Sequence, residues 1–134
     1  VNETELYIKR NEGIRYRLYR CPAGKASIGW GRNLQDNGIS RDEAEYLFKN
    51  DFNRAVQSVR DLVPNLDNLT CNRQTVLVDM AFNLGRGRFE GFKNMLQAVR
   101  DGNYERAADE IDNSLYRRQL PDRAAANSKM MRDG

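Results

Sequence analysis

The chain has 134 residues, 31% of them charged and 40% hydrophobic, with a formal net charge of +3. That length fits one domain able to bury roughly two-thirds of its unfolded surface without staples. The mild positive balance suits an anionic partner such as a cell wall, a membrane surface or nucleic acid, and does not choose among them. Two cysteines are too few for a disulfide framework or a structural zinc site. The absence of histidine excludes Ser-His-Asp and Cys-His nucleophilic sites, so acid–base chemistry has to rest on Asp, Glu, Cys, Tyr or Lys. No apolar run is long enough to span a membrane and no signal peptide is visible, while a segment removed before Val1 stays open.

In chain order, Asn2 is placed to cap a first short helix, with Glu3 and Glu5 in its first turn, Leu6, Tyr7 and Ile8 as apolar surface and Gly13 as its stop. Ile14-Arg15-Tyr16-Arg17-Leu18 alternates with period two, the pattern of a half-buried strand. Cys21-Pro22-Ala23-Gly24 carries turn chemistry, and Lys25 to Trp30 returns as a second short strand. The chain then runs out through Arg32 and Asn33-Leu34 into Gln35-Asp36-Asn37-Gly38, a loop with turn chemistry. Ser40 and Glu43 form a capping box, and Ala44, Leu47, Phe48, Phe52, Ala55, Val56 and Val59 then recur at helical spacing, which predicts a helix from about Arg41 to Arg60, before Pro64. Thr70 caps the next helix, whose run from Val76 to Leu84 is apolar on nearly every side and belongs in a core. Asp79 and Asn83 interrupt it, and such polar groups need a partner or a cleft. Asn83 either bonds nearby backbone or projects its amide into a ligand groove. Gly85 to Arg88 reads as a loop without a phosphate-binding template, followed by helices from about Phe92 to Arg100 and Tyr104 to Asn113. Pro121 starts a terminal helix reaching about Met131, next to a cluster of arginines with Tyr116 that reads as a solvated basic face or a modest anion patch.

The chemistry concentrates between Asn11 and Arg32. Glu12 falls in the last turn of the first helix, at the negative end of the helix dipole, which disfavours its ionised form. Partial burial beside Ile14 or Trp30 would act in the same direction. A carboxyl that keeps its proton near neutral pH is what glycoside cleavage requires of its acid. Cys21 and Ser27 are expected on the hairpin facing it.

Eight residues separate Glu12 from Cys21, and five separate Cys21 from Ser27. Together with Gly13, Ile28-Gly29-Trp30-Gly31, Ser40 to Glu45, Met80 to Gly85, Gly91-Phe92 and Gln119 to Arg123, this spacing resembles the phage-type lysozymes, muramidases of the T-even phage kind. The resemblance spans almost the whole chain. It implies an α+β, lysozyme-like fold in one domain over 1–134, with a hairpin lobe at about 14–36, a helical lobe of 1–13 and 37–134, and a cleft between them. It implies hydrolysis of the β-1,4 bond between N-acetylmuramic acid and N-acetylglucosamine in bacterial peptidoglycan, with no cofactor and no metal. Glu12 would be the general acid, Cys21 would replace the usual Asp and Ser27 the usual Thr. Asn83, Tyr116, Gln119 and Arg123 would be on the substrate side, Asn83 matching an amide that contacts an N-acetyl sugar and Arg123 an arginine that pairs with the acid. Arg15, Arg17 or Arg20 could lower the thiol pKa of Cys21. Arg32 stands where a histidine is usual, so no contact carries over there.

The sequence therefore favours a monomeric wall-lysing enzyme of phage or prophage origin, made in the host cytoplasm and acting at the cell wall, without stable membrane insertion. A wall-binding or structural protein that lost turnover through the change at Cys21 is the alternative. A nucleic-acid module is disfavoured, because the arginines form no continuous stripe interleaved with an aromatic platform.

Overall fold

The computed structural model describes residues 2–134, a mainly helical chain with one three-stranded antiparallel sheet. It divides into two compact units, residues 1–46 and 47–134, with the division falling inside one long helix.

The first unit opens with helix α1, Asn2–Glu12, so Asn2 lies within the helix and is not a cap outside it. Gly13 closes the helix at φ +68°, its N–H donating to Lys9 O at 2.9 Å, as the left-handed residue after a helix does. Strands β1, Arg15–Arg20, and β2, Ala26–Gly29, form the expected hairpin, and β3, Arg32–Asn33, adds a third strand, so that β2 is central. Tyr19 pairs with Ser27 and Arg20 with Ala26, while the register shifts between Arg15 and Tyr19. After β3 comes a single-turn helix α2, Leu34–Asn37, so most of the loop read at Gln35 to Gly38 is helical. Asn33 caps α2 by accepting from the Asp36 N–H at 3.1 Å, so the turn residues seen in the sequence close a helix here.

Ser27 is the one buried residue among those described in this unit. With no apolar core, polar and cation–π contacts tie its pieces together. Lys9 of α1 lies 4.6 Å from the Trp30 ring centroid, and Lys25 pairs with Asp36 at 3.3 Å. The capping box is present in both directions: Ser40 N–H donates to Glu43 Oε1 at 2.8 Å and Glu43 N–H to Ser40 Oγ at 3.2 Å. Both Glu43 oxygens also accept from Arg32, at 2.9 and 2.5 Å, which links β3 to the start of helix α3, Arg41–Leu62. The Arg32 guanidinium holds the Glu43 carboxyl down at about 2, with the Ser40 amide adding to it.

The second unit contains the hydrophobic core. Helix α4, Cys71–Leu84, runs through it, burying Val76, Leu77, Met80 and Ala81 as the apolar run predicts, and Thr70 caps it through the Arg73 N–H. Helices α5, Arg86–Glu90, α6, Lys93–Arg100, α7, Tyr104–Asp112, α8, Leu115–Gln119, and α9, Pro121–Asp133, complete the unit. Phe89, Met95, Leu96, Val99, Ile111 and Met131 are fully enclosed, each worth about 1.5–3 kcal/mol against exposure. The stretch read as a loop from Gly85 is helical, with Arg86–Glu90 forming α5 despite Gly87, and Leu115–Gln119, to which the sequence assigned no element, forms α8 with Ser114 as its cap. Helix α3 also corrects the sequence reading. Its spacing is helical, but only Ala55, Ser58 and Val59 are buried, while Leu47, Phe48 and Phe52 are exposed.

Candidate active site

A cavity of about 560 Å³ in the first unit is lined by Glu12, Cys21 and Ser27 together. Three local structures bring them there. Glu12 is the last residue of α1, as its place before Gly13 predicts. Cys21 starts the turn between β1 and β2, and Ser27 lies on the central strand.

Glu12 lies across Gly31. A Cβ built on Gly31 would stand 2.5 Å from Glu12 Oε2 and 2.8 Å from its Cδ. Gly31 also has φ +73°, so it satisfies two demands at once, a left-handed backbone and a bare surface for the carboxylate. The expected burial of Glu12 is not found. Glu12 is exposed, and so are Ile14 and Trp30 at 40% and 48%, because this unit has no apolar interior to receive them.

The Cys21 turn is closed by Cys21 N–H donating to Lys25 O at 3.0 Å and Gly24 N–H donating to Cys21 O at 2.7 Å. The thiol is held below its ordinary value, chiefly by a backbone hydrogen bond from Lys25, with the Ala23 amide and the Ser27 hydroxyl assisting against some desolvation. The arginines of the hairpin, expected to do this, are not the cause; backbone amides of the turn are. Ser27 is 1% exposed and its hydroxyl donates to Lys25 O at 3.1 Å. It has a single proton and two lone pairs. It can therefore donate to Lys25 O while accepting from a Cys21 thiol, or turn toward a Cys21 thiolate.

The other expected residues are in the second unit. Asn83 is exposed, and its side chain makes no hydrogen bond among the described residues, so it does not serve as a backbone cap. Gln119 ends α8 and is exposed. Arg123 donates from Nε and Nη2 to both oxygens of Asp79, at 3.0 and 2.5 Å. That interaction holds the Asp79 carboxyl below the usual range. Asn127 Nδ2 donates to Asp79 at 2.9 Å and to Tyr116 Oη at 2.8 Å. Asp79, the interruption of the apolar helix, is thereby partnered. Tyr116 is 3% exposed, burial pushes its hydroxyl pKa up, and the hydroxyl accepts from Asn127.

Comparison with known proteins covers most of the chain. A family model described as phage lysozyme matches residues 9–121. The chain belongs to the phage lysozyme family. It is 26% identical over 146 residues to "Probable T4-type lysozyme 2" of Dictyostelium discoideum, covering 87% of this chain and 86% of that protein. It is 32% identical over 133 residues to the peptidoglycan hydrolase gp36 of Pseudomonas phage phiKMV, covering 91% of this chain but 15% of that longer protein. It is 30% identical over 110 residues to an endolysin of Acyrthosiphon pisum secondary endosymbiont phage 1, covering 78% and 71%. The mainly helical chain with a small antiparallel sheet is the lysozyme-like α+β fold that the sequence predicts.

Arg15, Tyr19 and Arg20 line the same cavity as Glu12. The two arginines were expected near Cys21, whereas Tyr19 is a lining residue that the sequence of this lysozyme-family chain did not single out. Asn127 mediates between Asp79 and Tyr116, and nothing local marks it. No group of three or more His, Cys, Asp or Glu suited to a metal occurs among the described residues, and no helix there is long and apolar enough to cross a membrane.

Proposed function

We propose that this chain is a muramidase that hydrolyses β-1,4 bonds between N-acetylmuramic acid and N-acetylglucosamine in bacterial peptidoglycan and so lyses cells. The convergence of Glu12, Cys21 and Ser27 on one cavity carries the reading. Family membership and the printed activities of the phiKMV hydrolase and the endolysin support it.

Glu12 donates its proton to the O4 oxygen leaving the anomeric carbon of the muramic residue. Cys21 and Ser27 hold a water on the opposite face. The water attacks the anomeric carbon as the C1–O4 bond breaks, and its proton passes to the Cys21 thiolate. The thiolate stands where a second carboxylate would act as base, and the turn amides that lower its pKa make it available. This route inverts the anomeric centre. Asn83 and Gln119 supply exposed amides for N-acetyl groups, and Arg123, steadied by Asp79, serves the substrate side. The chain works as a monomer at the cell wall after synthesis in the host cytoplasm, without a cofactor or nucleic-acid partner.

The test is the chemistry of the new chain end. Digested peptidoglycan, reduced with borohydride and separated by mass, is expected to carry reduced muramic acid at the cut. Reduced glucosamine at the cut excludes a muramidase, and an intact polymer with bound protein favours the wall-binding alternative.

A further inference from the structure

Two arginines, Arg15 and Arg20, line the cavity of Glu12, Cys21 and Ser27, and Glu12 is the one carboxylate among its described lining residues. Neither guanidinium has a carboxylate within ion-pair distance among the described residues. Lys9, Lys25 and Arg32 of the same unit each have one, Glu5, Asp36 and Glu43 respectively. Each arginine is instead steadied by a neutral contact. The Arg15 guanidinium lies 4.9 Å from the centroid of the Tyr19 ring, and Arg20 Nη1 donates to Gly24 O at 3.0 Å. Stacking on a ring or bonding one carbonyl leaves most of the five N–H donors of a guanidinium free. The result is a cavity with two oriented forks that match a carboxylate and have no carboxylate partner among the described residues.

We propose that Arg15 and Arg20 form a carboxylate subsite that selects glycan strands bearing an anionic group beside the scissile bond over uncharged N-acetylglucosamine polymers. This rests on the reading of the cavity as the site of glycan cleavage. The carboxylate comes either from a peptide stem or from the free lactyl group of an unsubstituted muramic residue. Both are bound in the same way, by paired N–H donors at short range. The interaction is partly exposed, so it weakens as salt rises.

The experiment measures binding to protein carrying Glu12→Gln, which prevents turnover. Three oligomers of equal length are titrated: peptidoglycan fragments with stems, stem-free fragments with lactyl carboxylates, and uncharged chito-oligomers. The expected result is about tenfold or greater preference for at least one anionic oligomer over the chito-oligomer at low salt, reduced by added salt. Preference for the stem-bearing oligomer alone assigns the stem, preference for the stem-free oligomer alone assigns the lactyl group, and preference for both shows that either carboxylate is taken. Adding Arg15→Gln and Arg20→Gln is expected to erase the preference without weakening chito-oligomer binding. Arg17→Gln removes a charge from the same strand outside the cavity lining and is expected to keep the preference. No preference in the parent, a preference that survives loss of both arginines, or an equal loss in Arg17→Gln overturns the proposal. Failure of the muramidase reading shows separately, as peptidoglycan left uncut by the unsubstituted chain.

Discussion

Replacing Gly31 with alanine tests how the acid is positioned. The new Cβ would lie 2.5 Å from Glu12 Oε2, where ordinary contact begins at 3.4 Å, so the carboxyl has to move by about 0.9 Å. A displacement of about 1 Å at a reacting group can cost about 10²-fold in rate. The backbone cost is separate: a side chain at φ +73° costs about 1–2 kcal/mol. Gly29 separates the two effects. It has φ +68°, but a Cβ there meets nothing within 4 Å. Gly29→Ala is therefore expected to lose about 1–2 kcal/mol of stability with activity largely kept. Gly31→Ala is expected to lose a similar amount of stability and about 10–100-fold in kcat/KM. Denaturant unfolding measures the first quantity and clearance of a peptidoglycan suspension, at a temperature where both variants are folded, the second. Equal activity of the two variants would refute the placement of Glu12 over Gly31.

Three further outcomes follow from the same geometry. Iodoacetamide is expected to modify Cys21 with a midpoint below the ordinary thiol value of about 8.5 and to abolish lysis, while Cys71→Ser keeps activity; a fully active protein alkylated at Cys21 would remove the thiol from the mechanism. The Glu43 pKa is depressed, so its stabilisation is present above its unfolded value and is lost as pH falls toward about 2. In urea unfolding at a series of pH values, Glu43→Gln should be less stable than the parent at neutral pH, with the gap closing through that acid range; a pH-independent gap would argue against the Arg32 pairing. Asp79→Ala is expected to cost about 1–2 kcal/mol, the lower part of the charged hydrogen-bond range because Arg123 is partly exposed; an unchanged unfolding midpoint would show that the Asp79 cluster contributes nothing.

What could be read in the sequence was what is decided locally. The Ser40–Glu43 box, the Thr70 cap and the stop at Gly13 each depend on groups within four residues, and all are present. The helix Leu34–Asn37 was hidden because its cap, Asn33 before a polar turn, has the composition of a loop. Gly87 hid α5 in the same way. Periodicity gave α3 its helix but could not say that Phe48 and Phe52 would be exposed, since burial is a property of neighbours. Spacing grouped Glu12, Cys21 and Ser27. It could not show Glu12 resting on Gly31, or Glu43 bonding Arg32 eleven residues away as well as its own cap. Arginines were the obvious candidates to lower the Cys21 pKa, and the turn amides that do so are invisible in a string of side chains.

The central claim is that Glu12 delivers the proton that breaks the glycosidic bond. Its most direct measurement is the rate at which reducing ends appear in purified peptidoglycan treated with the parent chain and with Glu12→Gln. The variant is expected to bind the polymer and to release reducing ends about 10²–10⁴-fold more slowly, the usual contribution of a general acid. Release at the parental rate by Glu12→Gln would contradict the assignment.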